Sequence, residues 1–248
     1  MQRDAGMRLL LLGGTQEARQ VAHELHDLPV TVSLSDDARE SPSCGTRIGG
    51  FGGDEGFRVF LLREGIAAVL DATHPFAERI SLRSARICAE TGVPYVQLLR
   101  PQWRPGQGDR WHPAEDEAGA GGLPPTGARV LIVTGRQRLE RFGPMERRCV
   151  FVRRNGPAPA GPPPFADGAW QVGVPPYALG DEERLFRALA LDWLIVRNAG
   201  GEASRAKLDA ARGLGMEVAM IRRPARPDAP RVETEAALEW VRQLAKRS

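Results

Sequence analysis

Short apolar runs recur along the chain, and amphipathic stretches of about helical period separate them. Residues 9–12 are four leucines followed by Gly-Gly-Thr. An uninterrupted apolar run of that length predicts a strand buried on both faces. Residues 17–27 then place Ala18, Val21, Ala22 and Leu25 on one helical face. The alternation continues with a strand at 30–33, a helix at 54–64 and a strand at 67–72. A helix at 76–90, ended by Thr91-Gly92, and a strand at 95–99 complete the first half. Strands alternating with helices predict a parallel sheet covered by helices on both faces.

Residues 100–126 break the rhythm. Five prolines (Pro101, Pro105, Pro113, Pro124, Pro125) and several glycines read as a connector. The pattern then resumes with strands at 130–134, 150–153, 169–172, 193–196 and 218–221. Helices are predicted at 137–142, 181–190, 203–213 and 234–246. The expected organisation is therefore α/β, with two Rossmann-like parallel-sheet domains and a cleft between them. The divisions fall at 1–104, 105–127 (connector) and 128–248. Ligands of such sheets bind at the carboxyl ends of the strands, so the strand-to-helix loops are where chemistry is expected.

Composition narrows the function classes. The 248 residues are 42% hydrophobic and 26% charged, and no apolar run approaches the length of a membrane span. The polar segment after the first strand does not resemble a secretory cleavage site, so a cytoplasmic protein is expected. Three scattered cysteines, with no C-x-x-C, fit a reducing compartment. His23 and His26 lack a third metal ligand nearby in sequence, and no metal is expected. A net charge of +3 is too small to suggest nucleic-acid binding. Of 34 basic residues, 32 are Arg. Genomic bias accounts for this, and so does a polycarboxylate ligand, because a guanidinium binds carboxylates bidentately.

Four loops carry candidate chemistry. Gly13, Gly14, Thr15, Gln16 and Glu17 link the first strand to its helix, where backbone N–H groups and the helix N-terminus favour a pyrophosphate. Ser35 and Arg39 follow the second strand, at the position of the adenosine ribose. Hydroxyls and Arg there suit a 2′-phosphate, whereas Asp36 and Asp37 suit a free hydroxyl, so position alone leaves NAD and NADP both open. Asp71, Thr73, His74 and Pro75 follow the strand at 67–72. Thr73 or Asp71 could cap the next helix, and His74 is the candidate catalytic or ligand-contacting group. In the second half, Arg136 and Gln137 follow one strand, and Arg197, Asn198, Gly200 and Gly201 follow another. Lys207 lies on the next helix. These residues suit carboxylate or phosphate recognition as substrate-binding groups.

Several enzyme classes are excluded. There is no P-loop and no G-x-S-x-G. Neither Tyr95 nor Tyr177 has a Lys four residues on, which removes the Tyr/Lys pair of nucleotide-sugar enzymes.

The segments LLLGGTQEA, GGFGGDEG (49–56), DATHPFA (71–77), RPQW (100–103) and TGRQRLERF (134–142) form an ordered set. GVPPYALGDEERLF, NAGGEASRAKLDAAR (198–212) and IRRP (221–224) complete it. With this set the chain resembles the precorrin-6A reductase family of cobalamin biosynthesis. It departs from the usual family pattern in two places. Arg197-Asn198-Ala199 stands for Lys-x-Ser, and the loop after the second strand is longer and more acidic. The resemblance implies hydride transfer from NADPH to C19 of precorrin-6A, saturating the C18–C19 double bond to give precorrin-6B, without metal or flavin. It also implies a tetrapyrrole substrate rich in carboxylates. A monomer without membrane or nucleic-acid partners is expected. The alternatives are a cobalt-precorrin-6A reductase and a non-catalytic NADP(H)- or tetrapyrrole-binding protein of the same fold.

Overall fold

The computed structural model describes residues 7–35, 45–135 and 138–247. The chain forms two compact units. One comprises residues 1–100 together with 224–248, and the other residues 101–223.

The first unit holds a six-stranded sheet. Its strands are β1 (Arg8–Leu12), β2 (Val30–Leu34), β3 (Gly45–Ile48), β4 (Ile66–Asp71), β5 (Tyr95–Leu98) and β12 (Arg231–Val232). The spatial order is β3-β2-β1-β4-β5-β12, and every pairing is parallel. Helices α1 (Gln16–Glu24), α2 (Gly53–Arg63), α3 (Glu78–Thr91) and α7 (Thr234–Ala245) cover it. The leucine run is a strand for the reason the pattern suggested. Leu9 and Leu11 enter one core with α1 and α7, while Leu10 and Leu12 enter another with Phe57, Leu61 and Ile87. Alternate side chains of one strand thus serve two cores, so no polar position is tolerated.

The second unit holds a second all-parallel sheet. Its strands are β6 (Arg110–Ala114), β7 (Arg129–Val133), β8 (Cys149–Asn155), β9 (Gly168–Gly173), β10 (Trp193–Arg197) and β11 (Glu217–Ile221). The order is β6-β11-β10-β7-β8-β9. Helices α4 (Glu117–Gly122), α5 (Leu179–Ala188) and α6 (Ala206–Gly213) belong to it, with a 3-10 turn at Leu139–Phe142 where a longer helix from 137 was expected. Phe186, Leu194, Leu208 and Met220 form one of its cores.

Both sheets place the first strand of the βα series beside the fourth. In each, chain direction across the sheet reverses at that pair, β1/β4 and β7/β10, which creates a crevice at their carboxyl ends.

The expected divisions need correction. The connector at 105–127 contains β6 and α4 and is part of the second unit. The stretch from 224 onward returns to the first, where Ala237 and Val241 are fully buried in the core around Leu9 and Leu11. An amphipathic helix docks where its apolar face is covered, and sequence adjacency does not decide that.

Candidate functional site

In the first unit the loops after β1 and β4 meet at the strand reversal. Gly13 donates its N–H to the Ser33 carbonyl at 2.8 Å. A Cβ there would stand 2.8 Å from Leu34 Cδ2, so glycine is needed for close packing on β2. Gly14 is different: its φ is +127°, and an added Cβ would meet nothing within 4 Å. The backbone is thus bare where a phosphate would approach. Thr15 caps α1, its Oγ1 accepting from the Ala18 N–H at 3.1 Å and donating to the Ala72 carbonyl at 2.9 Å. One hydroxyl thereby ties the β1 loop to the end of β4. Gln16 is exposed in the first turn.

Glu17 would repel an anion at this helix end, but Arg100 holds both its oxygens, at 2.9 and 3.0 Å. Burial pushes the Glu17 carboxyl up, yet its backbone hydrogen bond and Arg100 outweigh this and hold it below the usual carboxylate range. Arg100 was not among the expected site residues, and only its place in RPQW singled out that stretch.

The loop after β4 is built on Asp71, which is fully buried. Its Oδ1 accepts from the Thr73 N–H (3.0 Å) and hydroxyl (2.6 Å), and its Oδ2 from the Tyr95 phenol (2.6 Å). Arg226, from the segment preceding β12, lies 3.5 Å from the same Oδ2 and donates to Gln97 Oε1 at 3.0 Å. Burial and then the Asp71 carboxylate push the Tyr95 phenol far above its ordinary range, so it stays a donor. The Asp71 side chain is thus sealed in the interior, where it shapes the loop. Thr73 and Pro75 are likewise buried. His74 is only half-buried. Its Nδ1 accepts from the Phe76 N–H at 3.2 Å, which leaves the proton of a neutral ring on Nε2.

Ser35 is exposed just beyond β2, and Arg39 lies outside the described residues. Sequence reasoning missed Arg47 of β3, whose register partner on β2 is Ser33. Arg136 and Gln137 also lie outside the described residues.

In the second unit the loop after β10 is closed by its own side chains. Asn198 is buried and brackets Trp103, accepting from its N–H at 2.9 Å and donating to its carbonyl at 3.0 Å. The Trp103 indole donates to the Gly201 carbonyl at 3.0 Å. Gly200 has φ +72°, and a Cβ there would stand 2.1 Å from the Pro101 carbonyl oxygen. Arg223 donates to the Asn198, Ala199 and Pro101 carbonyls. The motifs RPQW, NAGG and IRRP thus form one knot, which Asn198 and Gly200 hold together. Arg197 pairs with buried Glu117 at 2.7 Å. The Lys207 ammonium sits 5.0 Å over the Trp103 ring and bonds the Ser204 carbonyl. Deeper in the same sheet, Arg153 and Glu182 form a bidentate pair, both bonds 2.6 Å, with both side chains at least 95% buried. No expectation included that pair.

The family model "Precorrin-6x reductase CbiJ/CobK" matches residues 8–242. A precorrin-6A reductase of Rhodococcus erythropolis is 39% identical, over 97% of this chain and 99% of its own. One of Mycobacterium tuberculosis is 41% identical over 89% and 90%. A cobalt-precorrin-6A reductase of Synechocystis is 28% identical over 86% and 87%. Among solved structures, CobK precorrin-6A reductase superposes with a TM-score of 0.89 at 36% identity, covering 96% of this chain and 97% of its own. With its two parallel sheets and a family match running from β1 into α7, this chain belongs to the precorrin-6x reductase family of oxidoreductases.

Proposed function

We propose that the chain reduces the C18–C19 double bond of precorrin-6A to give precorrin-6B, with NADPH on the first unit and substrate carboxylates recognised by the second. The metal-free substrate is favoured because relatives named for it are 38–41% identical, whereas those named for the cobalt substrate are 25–28% identical.

The observation that carries the cofactor assignment is Gly14, bare and at positive φ in the strand-reversal crevice, directly before the capped helix α1. When bound, NADPH would supply the hydride from its C4 to C19 and become NADP⁺, while C18 takes up one proton from the medium. The chain's own task is orientation and exclusion of water. Thr15 fixes the phosphate loop against β4. Asp71, Thr73 and Tyr95 fix the loop that presents His74, whose Nε2–H donates a hydrogen bond to ligand. In the second unit, Arg136, Gln137, Arg197 and Lys207 are the proposed carboxylate-facing groups, with the loop at Gly200 and Gly201 giving them their backbone path.

The test is a single-turnover absorbance assay under nitrogen. NADPH should be oxidised when precorrin-6A is supplied and stay unchanged without it. Nucleotide binding without oxidation would leave the carrier reading standing instead, and equal turnover with NADH would overturn the NADPH assignment.

A further inference from the structure

The GGFGGDEG motif surrounds a side chain that the proposed function has not yet used. Arg47 lies on β3 opposite Ser33 of β2, next to the strand end where the adenosine ribose rests in a fold of this kind. Its Nη1 donates to Ser33 Oγ at 2.8 Å and to the Gly49 carbonyl at 2.9 Å, and its Nη2 donates to the Gly50 carbonyl at 2.8 Å. The guanidinium lies 3.9 Å over the Phe51 ring and 5.2 Å from that of Phe60. Gly49 reaches this geometry at φ +100°, a conformation other residues rarely adopt. The glycine motif therefore wraps its backbone around one guanidinium.

Among the described residues many arginines are held by a carboxylate, whereas the hydrogen bonds of Arg47, like those of Arg129 and Arg148, go to neutral groups. Arg8, Arg58, Arg86, Arg100, Arg153, Arg197 and Arg226 all face a carboxylate. The neutral groups at Arg47 are a hydroxyl and two carbonyls. Burial lowers its pKa, and no carboxylate among the described residues counters that. What sets Arg47 apart is its place: it is a half-buried, aligned positive charge with neutral partners beside the carboxyl end of β2, where an anion can be received. Among the described residues these partners engage three of its five N–H groups, and Nε–H and one Nη2–H are not among the three.

We propose that Arg47 is the residue that selects the cofactor's 2′-phosphate, with Ser33 and the Gly49 and Gly50 carbonyls as the groups that aim it. This rests on the reading that the first unit binds NADP(H), and it names the element that separates NADPH from NADH. The competing role is structural, in which the guanidinium merely covers Phe51 and Phe60. That role predicts a change in stability and no change in selectivity.

The experiment is calorimetric titration of the full chain with 2′,5′-ADP and with 5′-ADP, for wild type, R47Q, R47K and R39Q. Wild type is expected to favour 2′,5′-ADP. In R47Q that preference should fall about 10- to 100-fold, the worth of a charge-assisted hydrogen bond to phosphate, and R47K should recover part of it. The NADPH-to-NADH ratio of kcat/KM should fall in parallel. If wild type binds neither nucleotide, the cofactor reading itself fails. If wild type prefers 2′,5′-ADP and R47Q and R47K keep that preference, or R39Q alone abolishes it, Arg47 is not the selector. Should R47Q not fold, R47K decides: undiminished preference with a shifted melting temperature supports only the structural role.

Discussion

The two sheets share a strand order and a reversal point but differ in the segments that lead away from it. After β1 the first unit goes straight into a nine-residue helix with a capped N-terminus and a bare glycine before it. After β7 the described residues of the second unit hold only a four-residue 3-10 turn, at Leu139–Phe142. Its other crevice loop, after β10, is filled by Asn198, Trp103 and Arg223. A helix N-terminus concentrates partial positive charge, and a short 3-10 turn does not. One topology thus carries a capped helix behind a bare glycine in one copy and a self-closed loop in the other. Topology supplies a crevice, and local backbone chemistry decides whether a nucleotide can use it.

Buried charge sharpens the contrast most. In the first unit Asp71 has three close donors, and Arg226 stands further off, its Nη1 without a partner among the described residues. In the second, Arg153 and Glu182 satisfy each other. E182Q should therefore cost roughly 3–5 kcal/mol in urea unfolding, because it strands a buried guanidinium. Replacing both partners by R153M/E182L should recover most of that loss. A double variant as unstable as the single one would show that the stranded guanidinium is not what E182Q costs.

Glycines give the next largest effect, and its character should differ between the units. G200A forces a Cβ at positive φ onto the Pro101 carbonyl, so it should destabilise by about 2–4 kcal/mol through strain and overpacking. G14A meets no atom and should cost about 1 kcal/mol, while NADPH affinity falls about tenfold or more. Thermal melts alongside nucleotide titration separate these outcomes. If G14A bound NADPH normally, the phosphate loop would have to lie elsewhere.

Much of this contrast is legible in the residues, and the part that is not has physical causes. The leucine run, the βα rhythm and the glycine loop are visible because burial on both faces and helical period leave strong patterns. Strand β6 is not: its sequence, Arg-Trp-His-Pro-Ala, contains the proline that signals a break, which an edge strand tolerates. β3 and β12 are short edge strands with little apolar content. The loop residues His74, Gly14 and Thr15 stand out by their position after strands. The partners that give them their roles, Arg100, Tyr95 and Arg226, do not, because each is brought in from a remote segment by tertiary contact alone. Asp71 reads as a ligand group in the sequence because a carboxylate at a strand end is ambiguous until its burial is known.

The smallest expected effect tests the helix end that distinguishes the two units. Glu17 stabilises α1 by lying in its first turn, yet it faces the same positive end that a pyrophosphate would use. Arg100 resolves the conflict by neutralising it. R100Q should therefore weaken NADPH binding about two- to fivefold, and E17Q should tighten it by a similar factor, both differences shrinking as salt rises. The pH dependence comes from the lowered Glu17 pKa. A carboxylate whose folded pKa is depressed adds stability above its unfolded pKa, near the ordinary 4.5, and loses it as pH falls through the folded value. The stability gap between wild type and E17Q should thus be full at neutral pH, narrow below about 4.5 and close in stronger acid. Urea midpoints measured from about pH 7 to about pH 3 track that gap. A gap that widened toward acid would mean that Arg100 holds Glu17 too weakly to offset its burial, and that the helix end carries a repelling charge after all.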